Sequence, residues 1–166
     1  MAAIDIRLDD ADATETFGRR LSVCHQAGAV LFLHGDLGAG KTTLVRGYLR
    51  GLGHQGPVKS PTYTLIEPYQ TARGNLYHLD LYRLSDPEEL EWIGIRDLFD
   101  GESVCLIEWP QRGEGLLPEP DVHIHITVEG RGRRLTLEAC TARGEQIASS
   151  LQASHPEKPG SELNTF

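Results

Sequence analysis

The stretch Ala29-Val30-Leu31-Phe32-Leu33-His34-Gly35-Asp36-Leu37-Gly38-Ala39-Gly40-Lys41-Thr42-Thr43-Leu44-Val45 decides the fold. Ala29 to Leu33 is continuously apolar, as a strand buried on both faces of a parallel sheet must be. Leu44, Val45, Tyr48, Leu49 and Leu52 then form a helical stripe that ends at Gly51 or Gly53. Between the two lies Gly35 to Thr42, which fits the pattern G-x-x-x-x-G-K-[ST]. Strand, glycine-rich loop and helix in this order open a βαβ unit.

The loop's residue types suit one kind of ligand. Glycines let successive backbone N–H groups turn toward an anion with no Cβ in the way. The helix N-terminus behind them adds partial positive charge. Lys41 is long enough to reach the β- and γ-phosphates of a nucleotide, and the Thr42 hydroxyl is a hard oxygen ligand for Mg²⁺. The expected nucleotide-binding set is therefore Gly35, Asp36, Leu37, Gly38, Ala39, Gly40, Lys41, Thr42 and Thr43. The bland alternative is a glycine-rich turn without a ligand. An apolar strand directly before the loop and an amphipathic helix directly after it favour the nucleotide.

Such a site also needs a carboxylate on the metal side, at the end of a neighbouring strand. Val104-Cys105-Leu106-Ile107 is a second buried-type strand, and Glu108 follows it. Leu76-Tyr77-His78-Leu79 ends in Asp80. Both acids are thus expected at the C-terminal edge of the sheet, where open α/β sheets bind ligands. Glu108 is the candidate for the metal and Asp80 for the reacting water. No Asn/Thr-Lys-x-Asp guanine-reading motif is visible, which favours ATP over GTP.

Outward from this centre, Asp12 and Glu15 have capping-box spacing and Phe17, Leu21 and Cys24 follow at i, i+4, i+7, predicting a helix over 12–26. Residues 57–62 read as an irregular loop. Strands over 64–67 and 76–81 with Arg73-Gly74-Asn75 between them predict a hairpin. Asp86, Pro87 and Glu89 start a further helix. Val122, Ile124, Ile126 and Val128 alternate with polar residues, as do Leu135, Leu137 and Ala139, predicting a second hairpin with one wet face. From 145 onward the chain is rich in Ser, Glu and Pro and reads as a frayed tail, which leaves 1–144 as one domain. The fold class is α/β: a P-loop NTPase-like, mostly parallel central sheet flanked by helices, with antiparallel hairpins at the edge.

The bulk properties agree. The chain has 166 residues, the size of one domain. It carries 16 Lys and Arg against 24 Asp and Glu, a net charge of −8. That balance argues against a stand-alone nucleic-acid binder, whose affinity rests on cations. No apolar run approaches the ~20 residues of a membrane span. The first residues show no signal peptide, and Cys24, Cys105 and Cys140 form no CxxC, so a reducing, cytosolic setting is expected.

Four segments together carry a more specific likeness. Gly35 to Thr43, Lys59-Ser60-Pro61-Thr62-Tyr63-Thr64-Leu65, His78-Leu79-Asp80-Leu81-Tyr82-Arg83-Leu84 and Glu108-Trp109-Pro110 resemble, in order and spacing, the bacterial TsaE (YjeE) family. The likeness runs from about residue 12 to about residue 140. It implies a small cytosolic P-loop ATPase with weak intrinsic hydrolysis, using ATP and Mg²⁺. It implies a role in making N6-threonylcarbamoyladenosine at position 37 of tRNAs that read ANN codons, together with the TsaD and TsaB proteins. Transfer RNA would be met only through those partners. By the same resemblance, Lys41 would hold the β- and γ-phosphates, Thr42 and Glu108 the Mg²⁺, and Thr62 would sense the γ-phosphate or metal. Asp80 would orient or deprotonate the attacking water. The catalytic set is then Asp80, Thr62 and Lys41.

Other features have plainer readings. His123 and His125 share a strand face, but no third ligand is evident, so a solvated face is expected. His78 shares a face with Asp80 and is either a paired, satisfied histidine or a catalytic one. Trp109 divides evenly between packing and a site role. Arg131, Arg133 and Arg134 form either a solvated turn or a patch that closes the nucleotide pocket. Tyr63, Tyr77 and Tyr82 read as strand packing. Two rival functions stay open: a small P-loop kinase, and a nucleotide-dependent binding switch without useful turnover.

Overall fold

The structure is a computed structural model that describes residues 3–24 and 28–154. Seven strands form one mixed sheet in the order β1-β7-β6-β2-β5-β4-β3. They are β1 (Ala3–Leu8), β2 (Ala29–His34), β3 (Ile66–Thr71), β4 (Gly74–Asp80), β5 (Val104–Glu108), β6 (Val122–Glu129) and β7 (Gly132–Ala139). The centre, β6-β2-β5-β4, is parallel; β7 and β3 run antiparallel to it, and β1 pairs antiparallel with β7. The helices are α1 (Ala11–Ser22), α2 (Lys41–Gly51), α3 (Glu88–Trp92) and α4 (Ala142–Ser154).

Two apolar clusters lie on opposite faces of the sheet. The larger joins Leu31 and Leu33 of β2 and Ile124 and Ile126 of β6 to Phe17 and Leu21 of α1, Leu44 and Tyr48 of α2, and Ile147 and Leu151 of α4. The smaller packs Phe32, Leu79 and Ile107 against Leu90 of α3 and Ile95 of the following 3-10 turn. The apolar runs of β2 and β5 are thus covered on both sides, which is why they lack alternation. Helices α1 and α2 cross closely: a Cβ on Gly47 would collide with the Glu15 carbonyl.

Several expectations are corrected in detail. The cap of α1 is Asp10, whose carboxylate accepts from Ala13 N at 2.8 Å, rather than Asp12. This helix ends at Ser22, and residues 25 and 26 of the expected 12–26 span lie outside the described residues. Strand β1 was not foreseen, although Ile4, Ile6 and Leu8 alternate within it. Residues 145–154, the described part of the expected frayed tail, are instead all helical. Ile147, Ala148 and Leu151 of α4 are buried against the sheet, and residues 155–166 lie outside the described residues. The first hairpin turns at Ala72-Arg73, with Gly74 and Asn75 already in β4. At α3 the first helical residue is Glu88 and the cap position falls on Pro87, one residue later than expected, while Asp86 Oδ1 accepts from Glu88 N at 2.9 Å and Glu89 Oε2 accepts from Asp86 N at 3.0 Å just ahead of it.

Candidate functional site

Strands β2, β4 and β5 end together, so the glycine loop, Asp80 and Glu108 meet at one edge of the sheet. Asp80 and Glu108 are register partners across β4 and β5. Gly40, at φ +111°, occupies the left-handed region that glycine tolerates and starts α2 directly behind the loop. Both acids and Lys41 are buried.

Lys41 is held from several sides. Its Nζ donates to the Gly35 carbonyl at 2.5 Å and lies 4.0 Å from Glu108 Oε1. It also sits 4.3 Å from the centroid of the Trp109 ring, a cation–π distance. Burial pushes the Lys41 ammonium below its ordinary value, and the charges of Glu108, Asp80 and Asp36 pull it back. Trp109, with φ +56°, is one of two non-glycine residues in the left-handed region among the described residues. Its strained backbone turns the chain directly after Glu108 and aims the indole at Lys41. The Trp109 ring thus faces Lys41, and its centroid also lies 5.0 Å from that of Tyr82.

Glu108 is the hub. Oε2 accepts from His78 Nε2 at 2.6 Å and faces Thr42 Oγ1 at 3.5 Å. Two adjacent ligands of one Mg²⁺, each at ~2.0–2.1 Å, stand ~2.9 Å apart. The Thr42 and Glu108 oxygens are close to that spacing and are hard donors, so the pair fits Mg²⁺. His78 is fully buried, and its Nδ1 has no hydrogen-bond partner among the described residues. It is a paired histidine, but its partner is Glu108 on the next strand rather than Asp80.

Asp80 takes its geometry from two backbone groups and the 57–64 loop. Its Oδ1 accepts from Tyr82 N at 3.0 Å, and its own N–H donates to the Leu65 carbonyl at 3.0 Å. Leu65 is the second strained residue, at φ +69°. Thr62 Oγ1 lies 3.5 Å from Asp80 Oδ2 and 2.6 Å from Ser60 Oγ. Burial raises the Asp80 carboxyl above the usual range. The Tyr82 N–H opposes this, Glu108 adds to it, and His78 and Lys41 oppose it.

The arginine cluster divides. Arg133 donates to the Ala39 and Gly38 carbonyls at 2.8 and 3.2 Å, clamping β7 to the glycine loop. Arg134 pairs with Glu129 at 3.0 Å and Asp5 at 3.3 Å. A cavity of about 250 Å³ lies beside the clamp, lined by Asp10, Thr14, Gly40, Thr43, Arg131 and Arg133. It adjoins the first turn of α2, next to the loop. Tyr63 does not pack in a strand: it is 81% exposed, with the Arg83 guanidinium 4.5 Å from its ring centroid. The reading from sequence missed the Arg133 clamp on specific carbonyls and the His78–Glu108 bond, because both join residues far apart in the chain.

Comparison with known proteins points the same way. The family model described as "Threonylcarbamoyl adenosine biosynthesis protein TsaE" matches residues 8–136. A Haemophilus influenzae protein named tRNA threonylcarbamoyladenosine biosynthesis protein TsaE is 53% identical over 136 residues, covering 81% of this chain and 86% of its own. A Bacillus subtilis protein of the same name is 37% identical over 152 residues, covering 91% and 95%. The crystal structure of Bacillus subtilis YdiB superposes with a TM-score of 0.78 at 31% identity, covering 92% of this chain and 96% of that one.

Proposed function

The chain belongs to the TsaE family, and on that premise we propose that it is a Mg²⁺-dependent, weakly hydrolysing ATPase that serves tRNA threonylcarbamoyladenosine biosynthesis. It acts with the TsaD and TsaB proteins in the cytoplasm. Among the described residues no helix is long and apolar enough to cross a membrane.

The observation that carries the ATPase reading is the convergence of Lys41, Thr42, Thr62, Asp80 and Glu108 behind the glycine loop. Lys41 and the N–H groups at the start of α2 bind the polyphosphate. Thr42 and Glu108 would hold Mg²⁺, which neutralises charge between the phosphates. His78 keeps the Glu108 carboxylate turned toward Thr42. Asp80 orients or deprotonates the attacking water, and no covalent step on the protein is needed. Thr62 bridges the 57–64 loop to Asp80 and reports the γ-phosphate to the surface, in the manner of switch loops.

The net charge of −8 fits a subunit that meets tRNA through its partners. The test is capture of the TsaD and TsaB proteins of the same cell on the immobilised chain, with ATP, with ADP and without nucleotide. Capture that depends on nucleotide is the expected result. Equal capture in all three states would remove the switch role, and tight, salt-sensitive binding of tRNA by the isolated chain would overturn the accessory role.

A further inference from the structure

On the sheet face that carries Phe32, strands β2 and β6 bring His34, His123 and His125 together. Parallel pairing sets Phe32 opposite His123 and His34 opposite His125. The solvated face expected for His123 and His125 is only half of what stands there, since the third imidazole comes from the strand before the glycine loop. His34 Nε2 and His123 Nδ1 are 2.8 Å apart, and the His34 and His125 rings stack at 4.5 Å. One nitrogen from each ring lies within 4.8 Å of the other two. Glu138 of β7 is the register partner of His123, and its Oε1 is 3.4 Å from His125 Nε2.

We propose that His34, His123 and His125 form a binding site for a borderline divalent transition-metal ion such as Zn²⁺, separate from the Thr42 and Glu108 pair. Four-coordinate Zn²⁺ holds nitrogens at ~2.0–2.1 Å, which puts them ~3.3 Å from one another. The His34–His123 pair, at 2.8 Å, is tighter than that spacing and all three nitrogens lie within 4.8 Å, so rotation of the rings, the stacked His34 and His125 rings above all, is what brings the three lone pairs to one point. Where His34 and His123 now share a hydrogen, a cation takes its place and the donating ring carries its proton on the other nitrogen. Metal-bound histidines commonly donate their second nitrogen to a carboxylate, and Glu138 is placed to accept from His125. Three imidazoles select Zn²⁺, Ni²⁺ or Cu²⁺ and reject Mg²⁺, which prefers oxygen. The site is reachable: the His125 side chain is 44% exposed, and solvent can fill the fourth position. His34 and His123 are half-buried.

The experiment is calorimetric titration of Zn²⁺ alone into the full chain, without nucleotide, followed by Co²⁺ in place of Zn²⁺ to read coordination from its visible absorption. One equivalent is expected to bind in the micromolar range or tighter, undisturbed by excess Mg²⁺, with the intense Co²⁺ bands of a four-coordinate site. His123→Gln and His125→Gln, both on the wet strand face and checked for folding by circular dichroism, should each weaken Zn²⁺ binding at least ~100-fold and abolish those bands. His54→Gln, beyond the C-terminal end of α2 and against Tyr69, should change neither. Unchanged Zn²⁺ affinity in the His123→Gln, His125→Gln double variant, displacement by Mg²⁺, or no saturable binding below about 1 mM would overturn the site.

Discussion

His78 Nε2 meets Glu108 Oε2 at 2.6 Å between adjacent parallel strands, with His78 fully buried beneath the carboxylate that faces Thr42. The bond fixes which way Glu108 points. His78→Leu keeps much of the bulk but leaves a buried carboxylate oxygen without its donor, a loss of ~1–3 kcal/mol. The expected outcome is lower stability in urea unfolding together with a raised Mg²⁺ requirement for ATP binding. A His78→Leu protein with the parent's Mg²⁺ dependence would show that Glu108 is held by something else.

Lys41 supplies the cation of the site. Charge-assisted contacts to phosphate are worth ~1.5–3 kcal/mol. Lys41→Ala should therefore weaken ATP binding ~10–150-fold. Titration with a fluorescent ATP analogue reads it directly, and unchanged affinity would remove the phosphate-loop assignment.

The two acids should separate by role. Glu108→Gln keeps the shape and loses the anion, so the Mg²⁺ concentration needed for ATP binding should rise. Asp80→Asn should leave Mg²⁺-dependent ATP binding near the parent's and cut turnover. Identical Mg²⁺ dependence in both variants and the parent would contradict the division.

Asp80 also sets a pH dependence. Its carboxyl is raised in the folded state, chiefly by burial, so the folded chain binds the proton more tightly than the unfolded one. Stability is then lost as pH rises from the ordinary carboxylate value, ~3.9, through the raised folded value. Asn carries no such penalty. In metal- and nucleotide-free protein, Asp80→Asn should be more stable than the parent at pH ~7.5, and the gain should shrink as pH falls toward ~4. Urea unfolding at several pH values measures it. A variant less stable than the parent at neutral pH would mean that the Tyr82 N–H bond outweighs burial.

Helix α4 offers a stability test. Leu151 is buried between the sheet and α1, and Leu151→Ala should cost ~2–5 kcal/mol by urea unfolding. A cost under ~0.5 kcal/mol, as for an exposed site, would return this segment to a frayed tail.

Much of this architecture is local in the sequence, and those parts are legible. The run Ala29–Leu33, the glycine loop and the stripe of α2 are contiguous, and each has its own periodicity. Glu108 and Asp80 were readable because an acid at the end of an apolar strand can face only one edge of a parallel sheet. Residues 145–154 do not read as helix from the sequence because Ser and Glu outnumber the apolar positions from 145 onward. Ile147, Ala148 and Leu151 nonetheless sit at i, i+1 and i+4, one helical face, and that was the available signal. His34 could not be joined to His123 and His125 from spacing. They lie 89 and 91 positions apart, and only the β2–β6 register brings them together. The same holds for Arg133 and the loop carbonyls it clamps. Contacts within a segment are written in its pattern, whereas contacts between segments depend on strand order.

The most direct measurement is phosphate release from Mg²⁺-ATP by the purified chain with no acceptor present, for the parent and Asp80→Asn, with ATP binding measured on the same samples. Slow release by the parent that is lost in Asp80→Asn, with ATP binding retained, is the expected result. Release that requires a small acceptor molecule, or release undiminished in Asp80→Asn, would contradict an ATPase built on Lys41, Glu108 and Asp80.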